Sequence, residues 1–577
     1  MRALPLVVLL AAAAGPLEAA PRIALGETRF AHGRTVTHLD VCDATRVVAA
    51  EMGPWVRSWR LPDGAPGRAF GPYADTDTMA VACAGDLTVI GRNERAELWR
   101  GDKIVASTKI KFGVAARIVG TKAYVLDKDA LHELSEQGTR VAWKPTINGI
   151  HAVVRPDLVV SIGHTSLMWS TAAKTETVTF PEELVAIADL GNAIAVVSAT
   201  GVVRVLDQPT VPAPAFSFDA QKLGTPRSIG GDARWVAVGT THGKLVQARR
   251  GGPQLPPVEV IAPNISTSVM AVRVASDHWI IGGDDQRVRR LPLGATSYTR
   301  PKVDGHTQTV WSIALDEKWL ASASSDATIR LRSLDGKLAR TFAPKTERPI
   351  LEIGFTPTIL WALDDYANLF RWKRTGLTPM KQIDRIEHAA ALGANRLAVW
   401  HKQALATLDL ASGAITPVGI KLEITDPELT ASGDIVVVQD ELHDEKPLYV
   451  IDVKAASKIA EIHRIDEATV RRVAVSPDGS QIAIAEDEVL RVWSRKTAKS
   501  VEVGKHTAPI DALAWSADGR IAAGDWTGRV NVWKPGTPKP VVELTDHMGP
   551  IYALTWRGKS LVSGGSDFRV LVTDIPD

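Results

Sequence analysis

Apolar and polar residues alternate along much of the chain, in short stretches separated by turn residues. The segment from Gly305 reads GHTQTVWSIALDEKWLASASSDATIRLRSL, and the segments from Lys505 and Asp546 follow the same order. Each has a histidine, an alternating apolar stretch, a polar turn, a second apolar stretch, a turn with Asp or Gly, and a third stretch. Alternation with a period of two predicts β-strands, and the Asp and Gly residues predict the turns between them.

The end of the third stretch recurs about every 40 residues along the chain, and it often holds Trp or an apolar residue followed by Asp. These positions define fourteen units, each long enough for about four short strands. The recurring positions are Trp59, Trp99, Leu134, Trp169, Leu206, Gln247, Leu291, Arg332, Trp372, Leu408, Ile451, Trp493, Trp533 and Thr573. The pattern therefore predicts an all-β repeat protein.

These units resemble the WD-repeat family, whose repeats of ~40–45 residues form four-stranded antiparallel propeller blades with a Gly-His start and a Trp-Asp end. The resemblance covers nearly the whole chain after its first twenty residues. It is strongest in the segments from Gly305, Lys505 and Asp546 and in the segment that ends at Trp493. The resemblance implies a protein that binds protein partners and needs no cofactor.

In this family a His, a Ser and an Asp join the Trp in a hydrogen-bond network that holds each blade together. The resemblance implies two such networks in this chain, formed by His306, Ser322 and Asp326 and by His547, Ser563 and Asp567. Arg332 and Thr573 take the place of the Trp in these two units, and in a third unit Thr527 replaces the Asp. We therefore expect apolar packing to stabilise the blades more than this network does.

Propellers usually have four to eight blades, so fourteen units predict two tandem seven-bladed propellers. The last unit ends after its third strand, while RIALGETRF from Arg22 and SYTRPKV from Ser297 are unassigned strands. If each ring begins with its outer strand and ends with its third strand, the rings span 22–295 and 296–577. Such closure removes exposed sheet edges.

The N-terminal sequence MRALPLVVLLAAAAGPLEAA has the layout of a secretory signal peptide, spanning residues 1–20 with cleavage near Ala20. Its apolar run, Leu4 to Ala14, is too short to cross a membrane as a helix. No other stretch approaches ~20 uninterrupted apolar residues, so we expect no membrane span in the mature chain. The chain is therefore expected to be periplasmic or secreted. If the segment is not cleaved, a cytosolic regulatory protein is the alternative.

Composition excludes several classes of function. Lys and Arg number 67 and Asp and Glu 65, so the chain lacks the basic excess of a dedicated nucleic-acid binder. Two cysteines exclude a disulfide-dense scaffold and a four-cysteine zinc site. Cys42 and Cys83 fall near the ends of the first strands of neighbouring units, where they form either a disulfide or two buried small apolar residues.

No catalytic motif is present: the sequence has no phosphate loop, no G-x-S-x-G, no H-E-x-x-H and no calcium loop. The sequence therefore predicts no metal site. His151, His388 and His443 are histidines that no blade-start position explains. Propellers also host enzymes in their central channel, so a hydrolase or lactonase with a channel active site is an alternative function. Carboxylates with His at the centre of one ring would favour this alternative, whereas an apolar or Arg-lined centre would count against it.

Aromatic and charged residues predict a partner-binding face on the second propeller. Aromatics and Arg are enriched at binding hot spots because they bury a large area and keep a polar handle. The predicted face is formed by turn residues and by residues early in the first strands: Trp311, Tyr366, Arg471, Asp511, Trp526, Tyr552 and Phe568. The alternative is that these side chains only pack between blades. The sequence therefore predicts an exported, monomeric, non-catalytic interaction scaffold.

Overall fold

The computed structural model describes residues 17–18, 23–25 and 35–576, except residues 52, 54, 62, 72, 74–77, 150, 262–267, 286, 300–304, 345–347, 444, 466–467 and 538. The described residues form fourteen β-sheets, seven in each of two units. We call Gly26–Asp304 the first propeller and the unit that begins at Gly305 the second propeller. Two strands near the N-terminus, β1 (Leu17–Glu18) and β2 (Ile23–Leu25), pair with the second propeller. The prediction of an all-β chain with tandem seven-bladed propellers is confirmed.

The first propeller contains blades one to seven, whose strands follow one another from the channel outward. Blades one to three are β3 (Val36–Val41), β4 (Arg46–Glu51), β5 (Val56–Arg60) and β6 (Pro66–Phe70); β7 (Thr78–Ala84), β8 (Leu87–Arg92), β9 (Arg95–Arg100) and β10 (Lys103–Lys109); and β11 (Ala115–Val119), β12 (Lys122–Leu126), β13 (Leu131–Ser135) and β14 (Gly138–Trp143). Blades four and five are β15 (His151–Arg155), β16 (Leu158–Ile162), β17 (Ser166–Ser170) and β18 (Thr175–Thr179); and β19 (Leu184–Asp189), β20 (Ile194–Ser198), β21 (Val202–Leu206) and β22 (Phe216–Ser217). After the short helix α1 (Ala220–Leu223), blades six and seven are β23 (Pro226–Gly231), β24 (Trp235–Thr240), β25 (Lys244–Arg249) and β26 (Val258–Glu259); and β27 (Val269–Ala275), β28 (His278–Gly283) and β29 (Val288–Pro292).

The second propeller contains blades eight to fourteen in the same arrangement. Blades eight to ten are β30 (Val310–Leu315), β31 (Trp319–Ser324), β32 (Ile329–Ser333) and β33 (Leu338–Phe342); β34 (Ile350–Phe355), β35 (Ile359–Asp364), β36 (Asn368–Lys373), β37 (Thr378–Pro379) and β38 (Ile383–Asp384); and β39 (Ile386–Gly393), β40 (Arg396–His401), β41 (Ala404–Asp409) and β42 (Ile415–Pro417). Blades eleven and twelve are β43 (Pro427–Ser432), β44 (Ile435–Asp440), β45 (Leu448–Asp452) and β46 (Ser457–Ile462); and β47 (Val470–Val475), β48 (Gln481–Glu486), β49 (Val489–Ser494) and β50 (Lys499–Lys505). Blades thirteen and fourteen are β51 (Ile510–Trp515), β52 (Ile521–Asp525), β53 (Val530–Trp533) and β54 (Val542–Leu544); and β55 (Ile551–Arg557), β56 (Ser560–Gly565) and β57 (Val570–Asp574).

In most blades the second strand is the most deeply buried element, and this explains its sequence. β8, β16, β20, β35 and β44 are buried at every position. Both faces of such a strand pack against neighbouring blades, so it reads as a continuous apolar run rather than an alternating one. The outer strands β10 and β14 are largely exposed instead. The repeat is therefore clearest in the inner strands and weakest at the rim.

The hydrophobic core is divided into clusters that join neighbouring blades. One cluster packs Val36 and Trp59 of blade one against Ile280 of blade seven, which closes the first propeller. Another packs Ile313 of blade eight against Val562 of blade fourteen, which closes the second propeller. These contacts between the first and last blades make each unit a closed ring of seven.

The closing strand corrects the predicted boundaries. The segment from Arg22 was expected to complete the first ring, but Ile23–Leu25 pairs antiparallel with β57, the third strand of blade fourteen. Residues 297–299 of the segment SYTRPKV are not in a strand, and its remaining residues, 300–303, lie outside the described residues. The units divide at Asp304 and Gly305 rather than at 295 and 296. Either open third strand offers the same unpaired backbone groups, so alternation alone does not decide which blade an unassigned strand joins.

Most of the predicted signal peptide, residues 1–16 and 19–20, lies outside the described residues. Its remaining two residues, Leu17–Glu18, form β1, which pairs in parallel with Val542–Glu543. Among the residues that the structure describes, no helix has the length and hydrophobicity needed to cross a membrane.

Candidate functional site

The two predicted blade networks are both present in the second propeller. In blade eight, His306 Nδ1 lies 3.1 Å from Asp326 Oδ2, and its Nε2 lies 2.8 Å from Ser322 Oγ. In blade fourteen, His547 makes the equivalent contacts with Asp567 at 3.0 Å and Ser563 at 2.8 Å. Both histidines are almost fully buried. These side chains stabilise blades and take no part in a surface site.

Blade thirteen contains a third, altered network that the sequence analysis missed. His506 Nδ1 lies 3.0 Å from Asp525 Oδ2, and Thr527 donates a hydrogen bond to the same carboxylate at 2.7 Å. The Asp was expected at position 527, but Asp525 stands two residues earlier. Ala523 pairs with Leu513 in the register that Ser322 has with Ile313, so the serine partner of the histidine is missing. The sequence could have indicated this network, because Asp525 lies in the same turn, two positions before the expected Asp.

Cys42 and Cys83 form a disulfide between blades one and two of the first propeller, with their Cα atoms 4.6 Å apart. The disulfide alternative therefore holds rather than that of two separate apolar side chains. The amide of Cys83 also donates a hydrogen bond to Asp40 Oδ2 at 2.8 Å. Two neighbouring inner strands are thus joined both covalently and by a hydrogen bond.

The predicted face separates into an aromatic pair, a charged cluster and one exposed tyrosine. Trp311 and Tyr552 form the aromatic pair, with ring centroids 4.6 Å apart, on the adjacent blades eight and fourteen. The indole of Trp311 donates a hydrogen bond to Ser325 Oγ at 2.6 Å. Both rings are half-buried, so part of each remains accessible.

Trp526, Arg471 and Asp511 form the charged cluster, on blades twelve and thirteen. The Trp526 indole donates a hydrogen bond to Asp511, and the Arg471 guanidinium lies 5.1 Å from the Trp526 ring centroid. Arg471 also forms ion pairs with Asp487 at 3.1 Å and with Asp511 at 3.4 Å. Burial raises the pKa of Asp511 above its ordinary value, although the hydrogen bond from Trp526 opposes the shift. The cluster is held in place by its own contacts before any partner arrives.

Tyr366 and Phe568 behave in opposite ways, although both lie in turns between second and third strands. Tyr366 is 62% exposed, and the Arg348 guanidinium lies 4.0 Å from its ring centroid. Phe568 is only 1% exposed. Its assignment to a partner-binding face is therefore wrong, because a buried ring presents no surface to a partner. We call Trp311, Tyr366, Arg471, Asp511, Trp526 and Tyr552 the aromatic face.

Charged residues of the inner strands meet around the centre of the second propeller. His388 Nδ1 lies 3.3 Å from Glu352 Oε1. Although burial opposes it, Glu352 together with Glu428 and Glu441 raises the pKa of His388. Arg472 forms ion pairs with Glu428 and, at 3.6 Å, with Glu441. Burial raises the pKa of Glu428 to about 7, although Arg472 opposes the shift. Of these residues, only His388 was singled out from the sequence.

Comparison with known proteins identifies the repeat. The profile of the "WD domain, G-beta repeat" matches residues 298–333 and 499–534, which contain two of the four clearest repeats. Short matches to two curated proteins agree with it. They are the guanine nucleotide-binding protein subunit beta-like protein 1 of Mus musculus, 28% identical over 88 residues, and the anaphase-promoting complex subunit cdh1 of Dictyostelium discoideum, 29% identical over 103 residues.

The chain contains WD repeats and has a β-propeller fold. The matched segments cover 15% and 17% of this WD-repeat chain, and only 27% and 13% of the respective relatives. The fold is similar over a much longer range to PorZ, described as an essential bacterial surface component of the type-IX secretion system of Porphyromonas gingivalis. The structural match covers 95% of this chain and 86% of the PorZ chain, with a TM-score of 0.57 and 13% sequence identity. At this identity the likeness concerns the fold alone.

WD-repeat proteins usually bind protein partners and are generally non-enzymatic. In this WD-repeat protein, the centre of the second propeller combines His388 with three carboxylates, a composition that favours an enzyme. Within the described part of the chain, however, no three His, Cys, Asp or Glu side chains are arranged to hold a metal ion. The aromatic face and this charged channel are therefore two adjoining candidate sites on one propeller, since Arg472 donates a hydrogen bond to the carbonyl of Asp511 at 2.9 Å.

Proposed function

We propose that this protein is a non-catalytic interaction scaffold that acts outside the cytoplasm and binds a protein partner on the aromatic face of the second propeller. The observation that carries the proposal is the arrangement of Trp311, Trp526 and Tyr552, partly exposed and held by hydrogen bonds or ring contacts. Tyr366 extends the same set with a largely exposed ring.

The energetic basis is that these side chains lose little conformational freedom when a partner binds. Association normally costs about 0.5–1.5 kcal/mol for each flexible side chain that is immobilised. Trp526 is already held by Asp511 and Arg471, so that cost is met within the folded chain. Such rigid aromatic anchors are typical of binding hot spots. Binding at this face is therefore expected to change the propeller backbone little.

Two features support action outside the cytoplasm. The N-terminal sequence has the layout of a secretory signal peptide. The disulfide between Cys42 and Cys83 is of a kind that forms and persists in oxidising compartments. Fractionation of cells that express the full chain tests this part, with the N-terminal sequence of the recovered protein as a second measurement. Recovery of uncleaved protein from the cytosol would favour the regulatory alternative.

A capture experiment tests the scaffold itself. The mature chain and its Trp526→Ala/Tyr366→Ala variant are used as baits in a native cell-envelope extract, and bound proteins are identified by mass spectrometry. We expect a partner that the wild type retains and the double variant loses. Val501→Ala is the matched control, because it removes a side chain that is 66% exposed on an outer strand of the same propeller. A partner retained equally by all three baits would contradict the assignment of the face.

The second candidate function is a propeller enzyme of the hydrolase or lactonase type. Its support is the juxtaposition of His388 with Glu352 and of Glu428 with Arg472 in the inner strands. A carboxyl group with a raised pKa is suited to general acid–base catalysis near neutral pH. A screen of ester and lactone substrates tests this candidate, with Glu428→Gln as the variant that should abolish any activity. Turnover that survives Glu428→Gln would exclude this site as its origin.

A further inference from the structure

The channel of the first propeller contains a cavity of about 310 Å³. It is lined by residues in the later parts of the inner strands, among them Asp40, Arg117, Asp189, Gly230 and Arg273. A cavity of this volume is at the lower end of the ~300–1,000 Å³ that small-molecule sites occupy. The cavity lies within one propeller and is separate from the aromatic face.

One wall of the cavity carries two guanidinium groups that share one carboxylate. Asp189 accepts hydrogen bonds from Arg155 at 2.7 and 3.3 Å, and Arg117 forms an ion pair with the same carboxylate. Although burial opposes it, these contacts hold the pKa of Asp189 below its ordinary value. A single carboxylate is therefore shared by two guanidinium groups, which leaves one positive charge in excess.

Arg273, which lines the same cavity, has no such partner. In the part of the chain that the structure describes, its guanidinium donates one hydrogen bond, to the carbonyl of Val272 at 2.9 Å, and forms no ion pair. Its side chain is exposed to the cavity. Asp40 lines the cavity too, but one of its oxygens accepts the Cys83 amide, and burial raises its pKa despite the nearby Arg273. Asp40 is thus a weak counter-ion for Arg273.

The remaining titratable groups near the cavity do not supply the missing negative charge. Burial, with the charge of Arg273 as a second cause, lowers the pKa of His38 to about 4. Burial also lowers the pKa of His151, with the charge of Arg227 adding to the effect. Both imidazoles are therefore neutral near pH 7. The channel as a whole has an excess of positive charge, in a concave site where the field of such a charge is concentrated.

We propose that the channel of the first propeller binds a small organic carboxylate, which pairs with the guanidinium group of Arg273. Arg presents two parallel N–H donors that match the two oxygens of a carboxylate. Arg273 supplies one positive charge that forms no ion pair with the described residues, and the single charge of a carboxylate neutralises it whereas a dianion such as phosphate exceeds it. The ligand class is therefore a monoanion rather than a phosphate or a nucleic-acid backbone.

The test is isothermal titration of the mature chain with acetate, lactate and benzoate in chloride buffer at constant ionic strength. We expect at least one of these carboxylates to bind and its affinity to fall tenfold or more in Arg273→Gln. Arg60→Gln is the matched control, because Arg60 pairs with Asp63 in an exposed turn of the same propeller. Arg273→Lys keeps the charge but loses the paired donors, so its affinity should also be lower than that of the wild type.

Three results would overturn the proposal. One is that none of the three carboxylates binds. Another is that inorganic phosphate and sulfate bind as well as the carboxylates, which would indicate non-specific ion exchange. The third is that Arg273→Gln and Arg60→Gln bind equally. Unfolding midpoints show whether each variant is folded. If Arg273→Gln is not folded, the affinity of Arg273→Lys tests the proposal instead. Because the aromatic face lies on the other propeller, failure here leaves the capture experiment unaffected.

Discussion

Phe568 offers a sharp test of how the blades are stabilised. It is 1% exposed, and its backbone has a φ of 66°, in the left-handed region. Gly528 occupies the equivalent turn position in blade thirteen with a φ of 88°. In both turns the amide donates a hydrogen bond at 3.2 Å to the carbonyl three residues earlier. A phenylalanine thus stands at a position that glycine occupies without steric cost.

Substitution of Phe568 affects the free energy of unfolding in two opposite ways. Removing a buried phenylalanine side chain costs about 3–5 kcal/mol, so Phe568→Ala should destabilise the second propeller by that amount. For a unit of this size the loss corresponds to a fall of roughly 10 °C in the unfolding midpoint. Phe568→Gly removes one more carbon, but it also relieves a left-handed conformation that costs roughly 1–2 kcal/mol. The glycine variant should therefore be more stable than the alanine variant by about 1 kcal/mol.

Urea unfolding followed by tryptophan fluorescence measures these differences as shifts of the midpoint at constant slope. Tyr366→Ala is the control, because it removes an aromatic ring from an equivalent turn where the side chain is 62% exposed, and it should change stability little. The reasoning is refuted if Phe568→Ala is as stable as the wild type, since the ring would then not belong to the core. It is also refuted if Phe568→Ala is more stable than Phe568→Gly.

Three further outcomes are expected. The disulfide closes a loop with a sequence separation of 41. Cys42→Ser/Cys83→Ser should therefore lower the unfolding free energy of the first propeller by up to about 4 kcal/mol. A reductant should cause the same loss in the wild type but not in the double variant. Although burial opposes this shift, the charge of His547 lowers the pKa of Asp567 to about 2. The free energy of unfolding should therefore decrease as the pH falls from about 4 to about 2. In Asp567→Asn, acid unfolding curves should show a weaker pH dependence in that range. Burial raises the pKa of Glu428 to about 7, so stability of the wild type should fall as the pH rises from about 5 to about 7, and Glu428→Gln should flatten this part of the stability–pH curve.

The fold was predictable because the buried strands recur along the chain as recognisable apolar runs. β16, β20 and β44 are apolar at nearly every position since both faces pack against other blades, and such runs stay recognisable where the Trp-Asp signature is lost. The His306 and His547 networks were predictable for a different reason: each needs fixed residue types at fixed spacing within one blade. Features confined to a single unit are thus readable from the sequence.

Which side chains of the inner strands meet in the channel was not predictable, and the register of these strands shows why. β27, β30 and β47 each contain a register shift near their start, between Val269 and Ala271, Val310 and Ser312, and Val470 and Arg472. An irregularity of one residue reverses which side chains face the channel, so alternation alone does not assign them. Arg471 stacks on Trp526, whereas the next residue, Arg472, pairs with Glu428. Phe568 was misassigned similarly, because its turn position gave no sign that the ring is buried.

The two channels show what this architecture leaves free to vary. Inner strands of both propellers have the same place in their blades, yet they supply Arg117 and Arg273 in the first channel and Glu352 and Glu428 in the second. Apolar side chains of the inner strands belong to the core clusters, whereas their charged side chains lie outside these clusters and differ between the two rings while the fold is kept. Because each ring has its own closing contacts and its own channel charges, the two proposed binding properties are independent of each other. An anion titration of the first propeller and a partner capture by the second address these properties independently, and their outcomes need not agree.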